Sequence, residues 1–165
     1  MTATHPIRAE FLDAMSAATD GQAAFAALHR MAVALVPARL FTVTLFDRPA
    51  GVVRRAYSSD PVVYPVGGTK PLGADEWAVP GPDGWPMFVS NDIADQKGEF
   101  ADYDLIVSLG CRAAVNLPVA LGGAVAATVN LLDAAGSYPH KAVRLIEDEL
   151  RPAAMLAVAV AARAG

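Results

Sequence analysis

The pattern between Ile106 and Asp133 constrains the fold most: I-V-S-L-G-C-R-A-A-V-N-L-P-V-A-L-G-G-A-V-A-A-T-V-N-L-L-D. It reads as a helix end followed by two strands joined at Gly122-Gly123. Cys111, Ala113, Val115, Leu117 and Val119 alternate with Arg112, Ala114, Asn116 and Pro118. Past the glycines, Val125, Ala127, Val129 and Leu131 alternate with Ala124, Ala126, Thr128, Asn130 and Leu132. Successive strand side chains point to opposite faces, so each strand has an aliphatic side and a side of small or amide residues. The aliphatic side calls for packed helices. The other side carries two asparagines and few charges, which suits the floor of a small-molecule pocket better than a solvent face.

The rest of the chain supplies the expected layers. Ile7, Phe11, Leu12, Met15 and Ala18 fall at helical spacing. Asp20 is placed to cap a second helix carrying Phe25, Leu28, Met31, Ala32 and Leu35, which Pro37 ends. Leu40 to Asp47 and Val52 to Ser58 read as a hairpin around Arg48-Pro49-Ala50-Gly51. Ser59 to Pro86 is rich in proline and glycine and too long for a simple connection, so it is expected to be a functional loop or lid. Its aromatics, Tyr64, Trp77 and Trp85, argue for packing. A short strand is expected over Met87 to Val89, and Asn91-Asp92 then caps a turn. A helix is expected from Glu99 to Leu109, with Gly110 as its stop. The last helix begins near Ser137 or Tyr138, and Pro152 is expected to kink it. The fold class is α+β: one antiparallel sheet of five or six strands, terminal helices on one face, loops and a short helix on the other.

The totals exclude several functions. A chain of 165 residues defaults to one domain. Apolar content of 54 % against 18 % charge excludes disorder. A net charge of −4, with no Lys/Arg cluster, argues against nucleic acid. The longest apolar run, Ala153 to Ala162, is too short for a bilayer, and Arg8 and Glu10 interrupt any signal peptide. A single cysteine allows no internal disulfide, in keeping with a reducing compartment. A cytoplasmic, soluble protein is expected, with no membrane partner.

With these elements in order, the chain resembles a GAF domain over roughly residues 22–161. The run Leu109-Gly110-Cys111-Arg112-Ala113-Ala114-Val115-Asn116-Leu117-Pro118-Val119 is similar to that family's helix end, strand and proline, followed by a glycine turn and a strand ending near Asn130-Leu131. The resemblance implies a single GAF-like domain over 1–165, with the core at 22–161. Residues 1–21 would form a helix available for dimerisation. It also implies a small organic ligand between sheet and loops, a homodimer through terminal helices, and a sensor or regulatory role. The sequence ends at Gly165, so no output domain is expected. The cysteines that some members use for methionine sulfoxide reduction or bilin attachment have no counterpart at the matching positions, so neither activity carries over.

The expected ligand-binding set is Thr44, Tyr57, Tyr64, Lys70, Trp85, Asp92, Arg112, Asn116, Thr128 and Asn130. Asn116 and Asn130 fall on one face of the hairpin and near each other across it. They either hold a polar ligand or satisfy each other or nearby loop backbone. Tyr57, Tyr64 and Lys70 belong to a stretch of hydroxyls and glycines whose backbone could approach an anion, although it lacks the spacing of a phosphate loop. Arg112 shares the expected pocket face with Asn116 and could pair with a ligand carboxylate or with Asp92; Asp92 by default caps its own turn. Trp85 would supply apolar area.

Cys111 is expected on the helix-covered face as a small hydrophobe. The histidines, His5, His29 and His140, show no metal-site spacing, so no metal or other cofactor is expected. No paired acid–base constellation is visible, which places an enzyme using the same pocket second to a binding module. A structural dimerisation module ranks third.

Overall fold

The computed structural model describes residues 4–73, 80–82 and 84–165. Trp77 lies outside the described residues. Helices α1 (Thr4–Ala17) and α2 (Gly21–Leu35) come first, and Asp20 caps α2 by accepting from the Ala23 amide at 2.7 Å. Strands β1 (Leu40–Asp47) and β2 (Val52–Ser58) form the first hairpin. Two short strands follow, β3 (Thr69–Pro71) and β4 (Phe88–Ser90). Helix α3 (Tyr103–Ser108) precedes β5 (Ala113–Leu121) and β6 (Ala124–Asp133). Helices α4 (His140–Leu145) and α5 (Arg151–Ala164) close the chain. The strands make one antiparallel sheet in the order β3-β2-β1-β6-β5-β4.

The sheet separates two clusters. On one face Phe41, Val43, Val115, Leu117, Val129 and Leu131 pack with Phe25, Leu28 and Met31 of α2, Ala154 and Val158 of α5, and Phe11 and Met15 of α1. The other cluster is smaller: Leu40, Ala114 and Leu132 from the sheet, with Ile93, Ile106 and Cys111. From Ala113 to Val119 and from Ala127 to Leu132 the alternation does what the sequence demands, sending valine and leucine under the helices and smaller or amide side chains the other way. Nearer the turn a bulge between Val119 and Ala120 slips it, and Ala126 rather than Val125 packs against the helix-side cluster. Gly122 and Gly123 turn the hairpin at φ of +62° and +86°, a geometry that excludes most other residues.

Several expectations shift. The helix over 99–109 is reduced to a 3₁₀ turn, Lys97–Glu99, and the short α3, because Phe100 between them is extended (φ −115°, ψ 111°) and its ring meets Phe88 edge-on at 6.0 Å. Pro152 is accommodated by a π turn, Ile146–Leu150, directly before α5. A wide turn there fits a proline that has no N–H to give to the carbonyl one turn back. Pro139 rather than Ser137 or Tyr138 stands at the cap of α4, without a side-chain bond. Tyr138 is instead almost fully buried. Its hydroxyl donates to the Pro37 carbonyl, and its backbone exchanges two 2.8 Å hydrogen bonds with the Asn91 amide. Asn91 thereby ties the end of β4 to the start of the last helices.

Cys111 departs from its expected place. The regular strand starts only at Ala113, and Gly110 just before the cysteine is at φ +78°, so the alternation does not extend back to position 111. Cys111 is fully buried among Leu40, Ile93, Ile106 and Leu132, on the face away from the long helices.

Candidate functional site

Directly opposed residues in an antiparallel sheet share a face. Two rows of polar side chains therefore cross the face away from the helices. Ser58, Thr42, Asn130 and Asn116 form one row, and Arg55, Thr44 and Thr128 the next. Over them lies a cavity of about 250 Å³. Its floor is Thr42, Thr44, Thr128, Asn130 and Asn116; Phe46, Val53 and Leu132 add apolar surface. The outer wall is Arg55, Tyr64, Gly68 and Lys70, and the segment 99–106 contributes Glu99, Phe100, Asp102 and Ile106.

The floor is only partly satisfied. Asn130 Nδ2 donates to Thr42 Oγ1 at 3.1 Å and more weakly to Thr44 Oγ1 at 3.5 Å. Asn116 faces Asn130 in register, yet its amide makes no hydrogen bond among the described residues, and neither does the Thr128 hydroxyl. The two asparagines do not satisfy each other. Donors and acceptors are left directed at the cavity, where water or a ligand must meet them.

The outer wall is charged and ordered. The Arg55 guanidinium lies 3.6 Å from the Tyr64 ring centroid, and its Nη1 donates to the Pro65 carbonyl at 2.9 Å. Tyr64 Oη donates to Asp102 Oδ2 at 2.6 Å. Arg55 Nη2 and Lys70 Nζ each stand 3.7 Å from that same oxygen. Burial, reinforced by the hydrogen bond to Asp102, pushes the Tyr64 phenol well above its ordinary range, so it keeps its proton.

The cavity therefore gathers Thr44, Tyr64, Lys70, Asn116, Thr128 and Asn130 from the expected set. Four expected residues lie elsewhere. Tyr57 faces the helices, where its hydroxyl meets His29 Nδ1 at 3.1 Å. The cause is a β-bulge: Val43 pairs with Tyr57 but Thr44 pairs with Arg55, so Ala56 is extra and the alternation slips. Arg112 precedes the regular part of β5 and forms an exposed pair with Asp92, at 2.8 Å and 2.9 Å from its two oxygens. Asp92 also accepts from the Ala94 amide, and that bond, followed by Arg112, holds its carboxyl below the usual range. Trp85 is half-buried and does not line the cavity. Sequence reasoning missed Arg55 and Asp102. Arg55 is one of two adjacent arginines on β2 whose side chains take opposite faces, and Asp102 lay inside a segment read as unbroken helix.

The described residues hold no group of three or more His, Cys, Asp or Glu side chains placed to bind a metal. Burial raises the Cys111 thiol above its usual value, and it does not reach the cavity. Among the described residues no helix is long and apolar enough to cross a membrane.

No family model and no curated protein matches this chain. Solved structures match its fold. The GAF domain of an Acinetobacter phosphoenolpyruvate-protein phosphotransferase superposes with a TM-score of 0.68 at 10% identity, covering 99% of this chain and 95% of that one. The GAF domain of a two-component sensor histidine kinase from Bacillus halodurans gives 0.64 at 10% identity, covering 82% and 91%. The GAF domain of a Coxiella burnetii phosphoenolpyruvate-protein phosphotransferase gives 0.63 at 16% identity, covering 98% and 94%. The fold is GAF-like, an α+β domain on an open antiparallel sheet. At these identities the likeness speaks for the fold alone.

Proposed function

We propose that this chain is a sensory or regulatory module that binds a small polar organic molecule between the sheet and the segments 64–71 and 99–106. One observation carries the reading: the Asn116 amide and Thr128 hydroxyl, unpartnered among the described residues, stand on the floor of a cavity whose wall holds two cations. A merely structural module would have filled this site with apolar side chains or closed its hydrogen bonds. The volume falls just under the roughly 300–1,000 Å³ usual for drug-sized ligands, so the molecule is small. Similar folds include a domain of a sensor histidine kinase, which supports a sensory role.

Catalysis is the weaker reading. The nearest acid–base pair is Tyr64 with Asp102, and burial together with that hydrogen bond keeps the phenol protonated, so it is not available as a base. Residues 22–161 would form the binding core of a cytoplasmic domain, with 1–21 as a dimerisation helix. Leu12, Val33, Met155 and Leu156, exposed on the helical layer, support a second copy docking there.

The test is a thermal-shift screen against polar metabolites, followed by Asn116→Leu. A ligand that binds only the folded state raises Tm, by linkage. The reading requires at least one stabilising compound whose effect Asn116→Leu abolishes. It fails if the screen yields no such compound.

A further inference from the structure

Three groups from three segments converge on one oxygen. Tyr64 Oη, Arg55 Nη2 and Lys70 Nζ approach Asp102 Oδ2 at 2.6, 3.7 and 3.7 Å. Arg55 is the most firmly placed of the three donors. Arg55 sits on β2, stacked on Tyr64 and bonded to Pro65, and its backbone bonds Gly67 and Gly68. Lys70 lies in β3, paired with β2 through Val53. Asp102 stands at the cap of a six-residue helix that its side chain does not cap, after the extended Phe100.

A guanidinium, an ammonium and a phenol O–H around one point form a carboxylate site. Asp102 is the carboxylate now in it. Among the charged lining residues, Arg55 and Lys70 balance Asp102 and Glu99. Withdrawing Asp102 leaves one net positive charge, suited to one incoming carboxylate. We infer that Asp102 is an internal surrogate for the ligand's carboxylate. The molecule bound here is a small carboxylic acid carrying hydroxyl or amide groups. Its carboxylate replaces Asp102 on Arg55, Lys70 and Tyr64, while its polar end meets Asn116, Thr128 and Asn130. The displaced Asp102 frees the segment 97–108, so ligand occupancy is converted into a change at the surface. The inference rests on the cavity being the ligand site, as proposed above.

The experiment is calorimetric titration of the full chain with short hydroxy, amino and dicarboxylic acids (L-malate, L-glutamate, succinate and citrate among them), each paired with its neutral amide. Wild type is compared with Asp102→Asn, Asp102→Ala and Arg55→Met, all checked for folding by circular dichroism. Both Asp102 variants are expected to bind at least one acid about tenfold more tightly than wild type, as for a site its own competitor fills about nine-tenths of the time. Arg55→Met loses that binding, and the paired amide gains nothing. Hydrogen exchange over 97–108 should quicken when the acid binds wild type and be already fast in Asp102→Asn. Equal or weaker acid binding in both Asp102 variants, or an equal gain for the amide, overturns the inference. If a neutral compound binds through Asn116 while no acid binds, the cavity stands as the ligand site and only the surrogate role falls. If no compound of either kind binds, both fall.

Discussion

Arg55 and Tyr57 lie two positions apart on β2, yet their side chains occupy opposite faces of the sheet. Ala56, the extra residue of the bulge, separates them. Arg55 is thereby delivered to the cavity wall and Tyr57 to His29 on α2. The two residues should part in their effects. Tyr57→Phe removes one hydrogen bond under the helices, costing about 1 kcal/mol in urea unfolding and leaving ligand affinity unchanged. Arg55→Met should abolish the binding of any ligand found by thermal shift. A Tyr57→Phe protein that unfolds normally but cannot bind would place the phenol in the site after all.

His29 stacks on Phe41 with ring centroids 5.0 Å apart and planes 15° from parallel. Burial, and secondarily the neighbouring Arg30, hold its pKa below the ordinary value. The unfolded chain, with histidine near pH 6.5, therefore takes up a proton that the folded state refuses. Stability is complete above that pH and declines as pH falls through it. Melting temperature should drop between pH 7 and pH 5, and His29→Gln should flatten that part of the curve. Asp92, whose folded pKa is depressed, withdraws its contribution only at lower pH, where the unfolded carboxylate also titrates. Parallel curves for wild type and His29→Gln would clear His29 of the effect.

The alternation of β5 and β6 was readable, because nothing but strand pleating decides which way Asn116, Thr128 and Asn130 point. Their cross-strand pairing was readable to within a residue, since the two-glycine turn sets the hairpin and a bulge between Val119 and Ala120 then shifts the register to bring Asn116 opposite Asn130. Arg55 was not, because a bulge is a choice between two pairings that local composition does not distinguish. Cys111 was misplaced for a related reason: strand phase was carried back two residues from Ala113 into the segment that Gly110 turns, where Arg112 takes Asp92, one of its two expected partners. Asp102 was hidden by helical spacing that continues through Phe100, where the ring's contact with Phe88 overrides local preference. The site is thus legible where it rests on regular sheet and obscure where loops complete it.

Cys111 is fully buried in an apolar cluster, and burial raises its thiol pKa. Reaction needs an exposed thiolate, so both requirements are unmet. Iodoacetamide at neutral pH should label the native protein far more slowly than the urea-unfolded chain. Cys111→Ser places a hydroxyl where the cluster offers apolar neighbours, at a cost of about 1–3 kcal/mol, whereas Cys111→Ala should cost less. Fast labelling of the native chain would show that this cluster opens readily.

Asn116 and Asn130 face each other across β5 and β6, but they differ in what they hold. Asn130 donates to Thr42, a threonine almost wholly buried, so Asn130→Ala strips a hydrogen bond from an enclosed hydroxyl. That change should cost about 1–2 kcal/mol as well as weaken binding. Asn116 holds nothing among the described residues, so Asn116→Ala should leave unfolding free energy within about 0.5 kcal/mol of wild type. A polar side chain that stability does not need, placed on a cavity floor, is there for what enters the cavity. Ligand-induced stabilisation should therefore disappear in Asn116→Ala while the unliganded melting temperature stays put. A large loss of stability in Asn116→Ala, with ligand response intact, would make it a structural amide and remove the observation on which the binding reading stands.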